Sequence, residues 1–347
     1  MRAAVLHGVE DLRMEERPDP SPAPGEVVVR VESVGVCGSD VHYYEKGRVG
    51  SHVVEGPLVL GHEAAGVVVS TGRGVTRVKV GDRVSIEPGV PDLSCSQCLA
   101  GRYNLCPAMR FYATPPVDGA FAELVVTHEA FAHPVPDSMD LDSAALLEPV
   151  SVAVWAARKA GITAGDRVLV TGAGPIGLIA VQVARAFGAS EVSVTDVNAH
   201  RLDVASRLGA TRVLNTGGPG GMRAPADSRG ANPMPTEPTV LLECSGHPAA
   251  VGFGLRALAP AGRAVLVGMG ADEVSLPVSR IQERELTVTG TFRYANTWPT
   301  AIALVASGQV RLSPLVTGHF ELTRAEEALT ASRTDPRALK SIVRANA

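Results

Sequence analysis

The sequence predicts an α/β protein, a doubly wound parallel sheet with a mainly β domain before it. Three observations predict that class. The middle of the chain alternates apolar strand patterns with helical ones. A glycine-rich turn, Gly172-Ala173-Gly174-Pro175-Ile176-Gly177, separates the first of those strands from its helix. The earlier part instead strings short β-rich runs between Gly and Pro turn signals, the pattern of small curved sheets or a partial barrel.

Taken in order, the β-rich runs are Val27–Val31, Ala65–Ser70, Arg83–Ile86 and Ala122–Val126, punctuated by Pro24-Gly25, Gly81-Asp82 and Asp118-Gly119. Asp142-Ser143-Ala144-Ala145 can cap and open a helix running through Ala153–Ala157. Strands are then expected at Arg167–Thr171, Glu191–Thr195, Thr211–Leu214, Val240–Glu243, Ala264–Gly268 and Leu286–Thr289. Helices are expected at Gly177–Phe187 and Arg201–Leu208. This is the full set of about six strands for a dinucleotide-binding sheet. The stretch 217–238, rich in Gly, Pro and small polar residues, buries little and reads as a surface excursion. The residues beyond Gly290 exceed the needs of the sheet and are expected to return to the first domain. The expected domains are therefore 1–150, 151–288 and a return over 289–347.

Composition bounds the function. A chain of 347 residues suits two domains, and 45% apolar residues are ample for their cores. A net charge of −4 gives no footprint for nucleic acid or an anionic membrane. No apolar run approaches the roughly 20 residues of a spanning helix, and the N-terminal stretch lacks a signal-like apolar core. A cytoplasmic protein with a small-molecule substrate is expected. Five cysteines are too few for a disulfide framework, and three of them crowd one loop, which favours metal.

The glycine turn has the context its chemistry needs. Gly172, Gly174 and Gly177 permit a tight turn, close approach of a pyrophosphate, and close packing of helix on strand. Pro175 and Ile176 open the helix whose N-terminus receives the phosphates. Asp196, 19 residues past Gly177, ends the next strand, where a carboxylate accepts ribose hydroxyls and repels a 2′-phosphate. NAD is favoured over NADP, although Arg201 could pair with a phosphate or stack on adenine. A glycine turn with a surface aspartate is the bland alternative.

Two metal-ligand sets precede that turn. Cys37, His62, Glu63 and Glu148 come from separated loops and mix S, N and O donors, the style of a catalytic zinc. Alone, a cysteine is more often a small buried hydrophobe and a His-Glu pair more often surface. Asp92, Cys95, Cys98 and Cys106 have knuckle spacing, which suits a structural zinc whose loss affects stability rather than chemistry. A reactive metal combined with a nicotinamide cofactor reads as hydride transfer on an alcohol or ketone.

These blocks in order resemble the zinc-dependent medium-chain dehydrogenase/reductase superfamily, specifically its polyol branch of sorbitol (L-iditol) and xylitol dehydrogenases. CGSDVHYYEKGRVG, VLGHEAAGVV, GRYNLC, RFYATPPVDGAFAE, LLEPVSVA, TGAGPIGL and FRYANTWP carry the resemblance across nearly the whole chain. It implies a GroES-like catalytic domain, a Rossmann domain, zinc and NAD. A homo-oligomer, dimer or tetramer, is expected because the last parallel strand, Leu286–Thr289, would otherwise expose an edge. Cys37, His62 and Glu63 match the catalytic-zinc ligands. Glu148 stands where simple alcohol dehydrogenases carry a cysteine, as a ligand or acting through water. Ser39 and His42 match a proton path, and Asp40 a carboxylate that orients the ligand imidazole. Tyr43, Arg293 and Tyr294 match substrate positions. Val267, Gly268 and Met269, with Thr291, Phe292 and Arg293, match segments beside the nicotinamide. The pattern departs at Asp92, where members with a structural zinc usually have a cysteine.

Structural alternatives stand beside these roles. Arg293 could serve only an ion pair, Tyr43 or Tyr44 only packing, and His42 only a solvated loop. Cys244 reads as a buried strand-end residue. Rival functions are a metal-free quinone or enone reductase, a butanediol-type alcohol dehydrogenase, and a non-catalytic dinucleotide sensor.

Overall fold

The computed structural model describes residues 1–218 and 236–346, so most of the expected excursion at 217–238 lies outside the described residues. The chain forms two compact units: Met1–Glu148 with Trp298–Ala306 and Leu312–Ala347, and Pro149–Thr297 with Ser307–Arg311. The chain re-enters the first unit at Trp298, later than residue 289. The reason is local: the fully buried Trp298 indole donates to Ser85 Oγ at 2.9 Å and stacks on His133.

In the first unit a seven-stranded sheet has the order Ala132–Pro134, Arg83–Ile86, Glu63–Thr71, Glu26–Gly35, Lys340–Arg344, Val316–Glu321, with Leu124–His128 also paired to Glu26–Gly35. Strand Glu26–Gly35 alternates apolar residues over a buried face, and its register slips against Glu63–Thr71 between Val28 and Val29 and between Val31 and Ser33. Such bulges bend and twist a sheet, which lets this one curl over Val29, Val31, Val68, Ile86 and Phe121. One consequence reaches the chemistry. The register sets Gly35 opposite Glu63 and Ile342 opposite Gly35, so three distant segments meet two residues before Cys37.

In the second unit a six-stranded parallel sheet has the order Arg212–Asn215, Glu191–Asp196, Arg167–Thr171, Val240–Glu243, Arg263–Leu266, Thr287–Gly290 among the described residues. The order reverses between the first and fourth strands in sequence, which is the dinucleotide-binding topology. The expected strands lie within two residues of these. Leu169, Leu241, Phe253, Leu255 and Ala264 fill one core, while helix Pro175–Ala186 buries residues nearly all round, as an apolar crossover between packed layers should.

Candidate active site, metal centres and cofactor turn

Donor atoms of Cys37, His62 and Glu63 lie within 4.8 Å of one another. Each is held by the fold. Cys37 is the N-cap of helix Gly38–Lys46, and its backbone N–H donates to Asp40 Oδ2 at 2.9 Å. The other oxygen of Asp40 accepts from the Gly61 N–H at 3.0 Å, so one buried carboxylate ties both ligand turns together. Gly61 has φ 86°, and a Cβ there would strike the Phe121 ring. Gly35 is needed for space, because a Cβ would overlap the Glu63 carboxylate and crowd Leu146.

Asp40 also faces His62: its Oδ1 lies 3.6 Å from Nδ1, an electrostatic contact longer than a direct hydrogen bond. Burial opposes charge on His62, yet Asp40 and Cys37 outweigh it and raise its pKa well above the ordinary value. A cation is what this cluster calls for. Thiolate, imidazole and carboxylate together suit zinc, and the set leaves a tetrahedral ion one further position.

Lys340 was not legible as part of this site. Its side chain is 4% exposed, and its three N–H groups are all used: Glu63 Oε1 at 2.7 Å, Glu63 Oε2 at 2.8 Å and the Val36 carbonyl at 2.8 Å. Burial works against the ammonium, but Glu63, Cys37 and Glu148 hold its pKa above the usual lysine value. The one signal available was strand parity, since Lys340 and the fully buried Ile342 share a face of Lys340–Arg344. Glu148, buried in the first turn of helix Leu147–Ala160, adds to the field at Lys340 but is not among the three converging donors.

Ser39 and His42 lie three apart on helix Gly38–Lys46 and so on one face. His42 titrates below its ordinary value, through burial and then through Lys46. Tyr43 is buried on the same helix; Tyr44 donates to Glu326, and burial followed by that carboxylate pushes its pKa up to about 12.

The second cluster converges as well: donor atoms of Asp92, Cys95, Cys98 and Cys106 lie within 4.8 Å. Asp92 Oδ1 accepts the N–H groups of Ser94 at 2.8 Å and Cys95 at 2.9 Å, which pull its pKa down to about 2. Cys95 caps the short helix Ser96–Leu99, and its thiol is lowered by the Cys98 N–H; Cys98, 3.5 Å away by sulfur, is pushed up to about 12 by desolvation and then by Cys95. Crowded acidic groups in this state favour a divalent ion that takes their protons' place.

In the second unit the glycine turn behaves as its spacing requires. Gly172 has φ 89°, with Ser245 where its Cβ would lie, and a Cβ on Gly177 would overlap the Gly172 carbonyl. Gly174 faces open space, as a backbone that admits a ligand should. Pro175 then opens helix Pro175–Ala186, with Ile176 in its first turn. Asp196 ends its strand and accepts from Ala173 N at 2.6 Å and Asn198 N at 2.8 Å, so it stiffens the turn it faces. Arg201, in helix Ala199–Arg207, has a buried Nε with no hydrogen-bond partner among the described residues. Val267 and Gly268 follow strand Arg263–Leu266, and Met269 is 58% exposed. Thr291 continues from Thr287–Gly290; Arg293 holds φ 52° with its guanidinium over Phe292, and Tyr294 is buried. Left-handed backbone at an arginine stores strain, a frequent mark of function.

Residues 23–137 match the alcohol dehydrogenase GroES-like domain, and residues 175–307 match the zinc-binding dehydrogenase family. Sorbitol dehydrogenase of Macaca fascicularis is 45% identical over 324 residues, covering 93% of this chain and 90% of that protein. The chain belongs to the zinc-dependent medium-chain dehydrogenases, in their polyol branch. Solved structures agree on the architecture. An Escherichia coli oxidoreductase/dehydrogenase of unknown specificity superposes with a TM-score of 0.91 at 32% identity, covering 99% of this chain and 98% of that one. The 2R,3R-butanediol dehydrogenase of Bacillus subtilis gives 0.87 at 29% identity, with 99% of each chain covered. As a member of this branch the protein is an enzyme, and its cofactors are zinc and NAD.

Proposed function

We propose that this dehydrogenase oxidises a secondary hydroxyl of a sugar alcohol, sorbitol, xylitol or a relative, to the ketose. The observation that carries the reading is the S, N and O donor set of Cys37, His62 and Glu63 in a chain so similar to a sorbitol dehydrogenase. When bound, zinc acts as a Lewis acid that makes the substrate hydroxyl easier to deprotonate, and NAD accepts the hydride.

The chain's own groups do the rest. Cys37, His62 and Glu63 hold the ion, with Asp40 fixing both turns. Ser39 and His42 form the outward proton path; with its pKa lowered, His42 is neutral at pH 7 and free to accept a proton. Glu148, whose charge is felt at Lys340, is the alternative acceptor for the leaving proton. Tyr43, Arg293 and Tyr294 orient the remaining hydroxyls, because a site built to hydrogen-bond them rejects analogues lacking them. Gly172, Gly174, Pro175, Ile176 and Gly177 receive the pyrophosphate, Asp196 the adenosine ribose, Arg201 the adenine, and Val267–Met269 with Thr291–Arg293 the nicotinamide. Asp92, Cys95, Cys98 and Cys106 hold a second, structural zinc. No helix among the described residues is long and apolar enough to cross a membrane, and thiol ligands suit the cytoplasm. We assign a homo-oligomer, tetramer or dimer, because Thr287–Gly290 is an edge strand.

The test is a panel of sorbitol, xylitol, ribitol, galactitol and 2,3-butanediol with NAD and with NADP, on protein of measured zinc content. Polyol oxidation with NAD that is lost on chelation and restored by zinc is expected. Turnover of butanediol alone would move the enzyme to the simpler secondary alcohols. Undiminished rates after complete removal of the metal would end the reading.

A further inference from the structure

Glu243 ends the central strand Val240–Glu243 and is 1% exposed. Its strand neighbours Val240, Leu241 and Leu242 are apolar and buried, so a carboxylate there is costly unless its surroundings supply donors. They do. Oε1 accepts from Thr171 Oγ1 at 3.2 Å, from Ser245 N at 3.0 Å and from Ser245 Oγ at 2.5 Å, and Oε2 accepts from Gly246 N at 3.0 Å. The backbone carbonyl of Glu243 takes Val267 N and Gly268 N, each at 2.8 Å.

One residue thus knots the ends of three parallel strands. Thr171 leads into Gly172 of the cofactor turn, Ser245-Gly246 leads into helix Pro248–Ala257, and Val267-Gly268 leads out of Arg263–Leu266. The three turns also approach one another closely at their backbones. A Cβ on Gly172 would meet Ser245, while one on Gly268 or on Gly270 would overlap the backbone at Gly246. In an open α/β sheet the dinucleotide lies outside these carboxyl ends of the strands.

We propose that Glu243 is a positioning residue for NAD: it sets the relative height of the three turns. It also draws the N–H groups of Ser245 and Gly246 inward, leaving the pyrophosphate to the Gly172–Gly177 turn and its helix. The inference rests on the reading that NAD lies on that turn. Sheet stability alone does not call for a carboxylate, since an apolar residue would continue the strand. A glutamine keeps the shape but turns an NH2 donor against a backbone N–H or hydroxyl, so at least one of the four bonds is lost.

The test measures NADH binding by fluorescence in wild type, Glu243→Gln, Ser245→Ala and, as a reference for the turn itself, Asp196→Ala. Glu243→Gln is expected to weaken NADH about tenfold and Ser245→Ala about threefold, in line with the loss of one buried hydrogen bond. The loss should fall on KM for NAD, with zinc content and KM for the polyol as in wild type. Should Asp196→Ala lose affinity while both Glu243→Gln and Ser245→Ala bind NADH like wild type, Glu243 merely supports the sheet and the proposal is overturned. Should Asp196→Ala also bind normally, the turn is not the NAD site and both readings fall. If Glu243→Gln does not fold, the Ser245→Ala result decides.

Discussion

At the scale of single residues, the pairing of Lys340 with Glu63 governs how a metal is accepted. Both carboxylate oxygens face the ammonium at 2.7 and 2.8 Å, and both side chains are almost wholly buried. Without metal, Lys340 is the main compensation for Glu63; with metal, Glu63 shares its charge between two cations. Removing Lys340 therefore harms the metal-free protein more than the loaded one, and by linkage it tightens metal binding to the folded chain. Lys340→Met should destabilise the metal-free protein by about 3–5 kcal/mol, the usual penalty for stranding one partner of a buried pair. The zinc-loaded protein should lose less. Thermal melts with and without zinc, combined with chelator competition, check both signs; equal losses in the two states would show that Glu63 never turns toward the metal.

At the scale of elements, the parallel sheet is stapled at both ends by carboxylates. Glu243 serves the carboxyl ends. Asp166 serves the opposite ends: Oδ2 accepts from Thr163 N at 2.9 Å, while Oδ1 accepts from Thr239 Oγ1 at 2.7 Å and pairs with Arg263 at 2.5 Å. Asp166 itself and Thr239 immediately precede the strands Arg167–Thr171 and Val240–Glu243, Arg263 begins Arg263–Leu266, and Thr163 lies in the turn just before the first of them. Burial pushes the Asp166 carboxyl up, but the Thr163 N–H, Thr239 and Arg263 together leave it below the usual aspartate value of 3.8. A folded-state pKa that is depressed contributes stability above the unfolded value, and that contribution fades as pH falls through the folded one. Asp166→Asn should thus cost about 1–3 kcal/mol at pH 7. The gap to wild type should narrow below pH 3.8. Urea denaturation at neutral and at strongly acid pH measures it, and a gap that stays constant would remove the charge from the account.

At the scale of the whole molecule, what the sequence disclosed was what is written in short range. Strand alternation, the turn from Gly172 to Gly177 and the spacing from Cys95 to Cys106 are local signals, and each lies where its pattern placed it. Lys340 and Glu63 are 277 residues apart, and nothing near either one announces the other. Glu243 was visible only as the end of an apolar strand, since its donors come from a neighbouring strand and from the loop just beyond it. Register across the first unit's sheet, which brings Gly35, Glu63 and Ile342 together, depends on bulges that no periodicity shows. The same logic leaves one edge unfinished. Thr287 N and Thr291 N donate inward to Gly262 O and Leu266 O, so by alternation Val288 and Gly290 present their backbone groups outward. An edge of this kind is a template for pairing, and Val278, 59% exposed on the helix just before it, adds apolar surface. A second copy meeting this edge across a twofold axis would complete the ladder. Light scattering should therefore show an oligomer for the wild type. Val288→Pro deletes an outward N–H while sparing the inward ladder, so it should shift the protein toward smaller species that still bind NADH. A wild type that is monomeric at every concentration, or a Val288→Pro variant of unchanged mass, would take the edge out of the assembly.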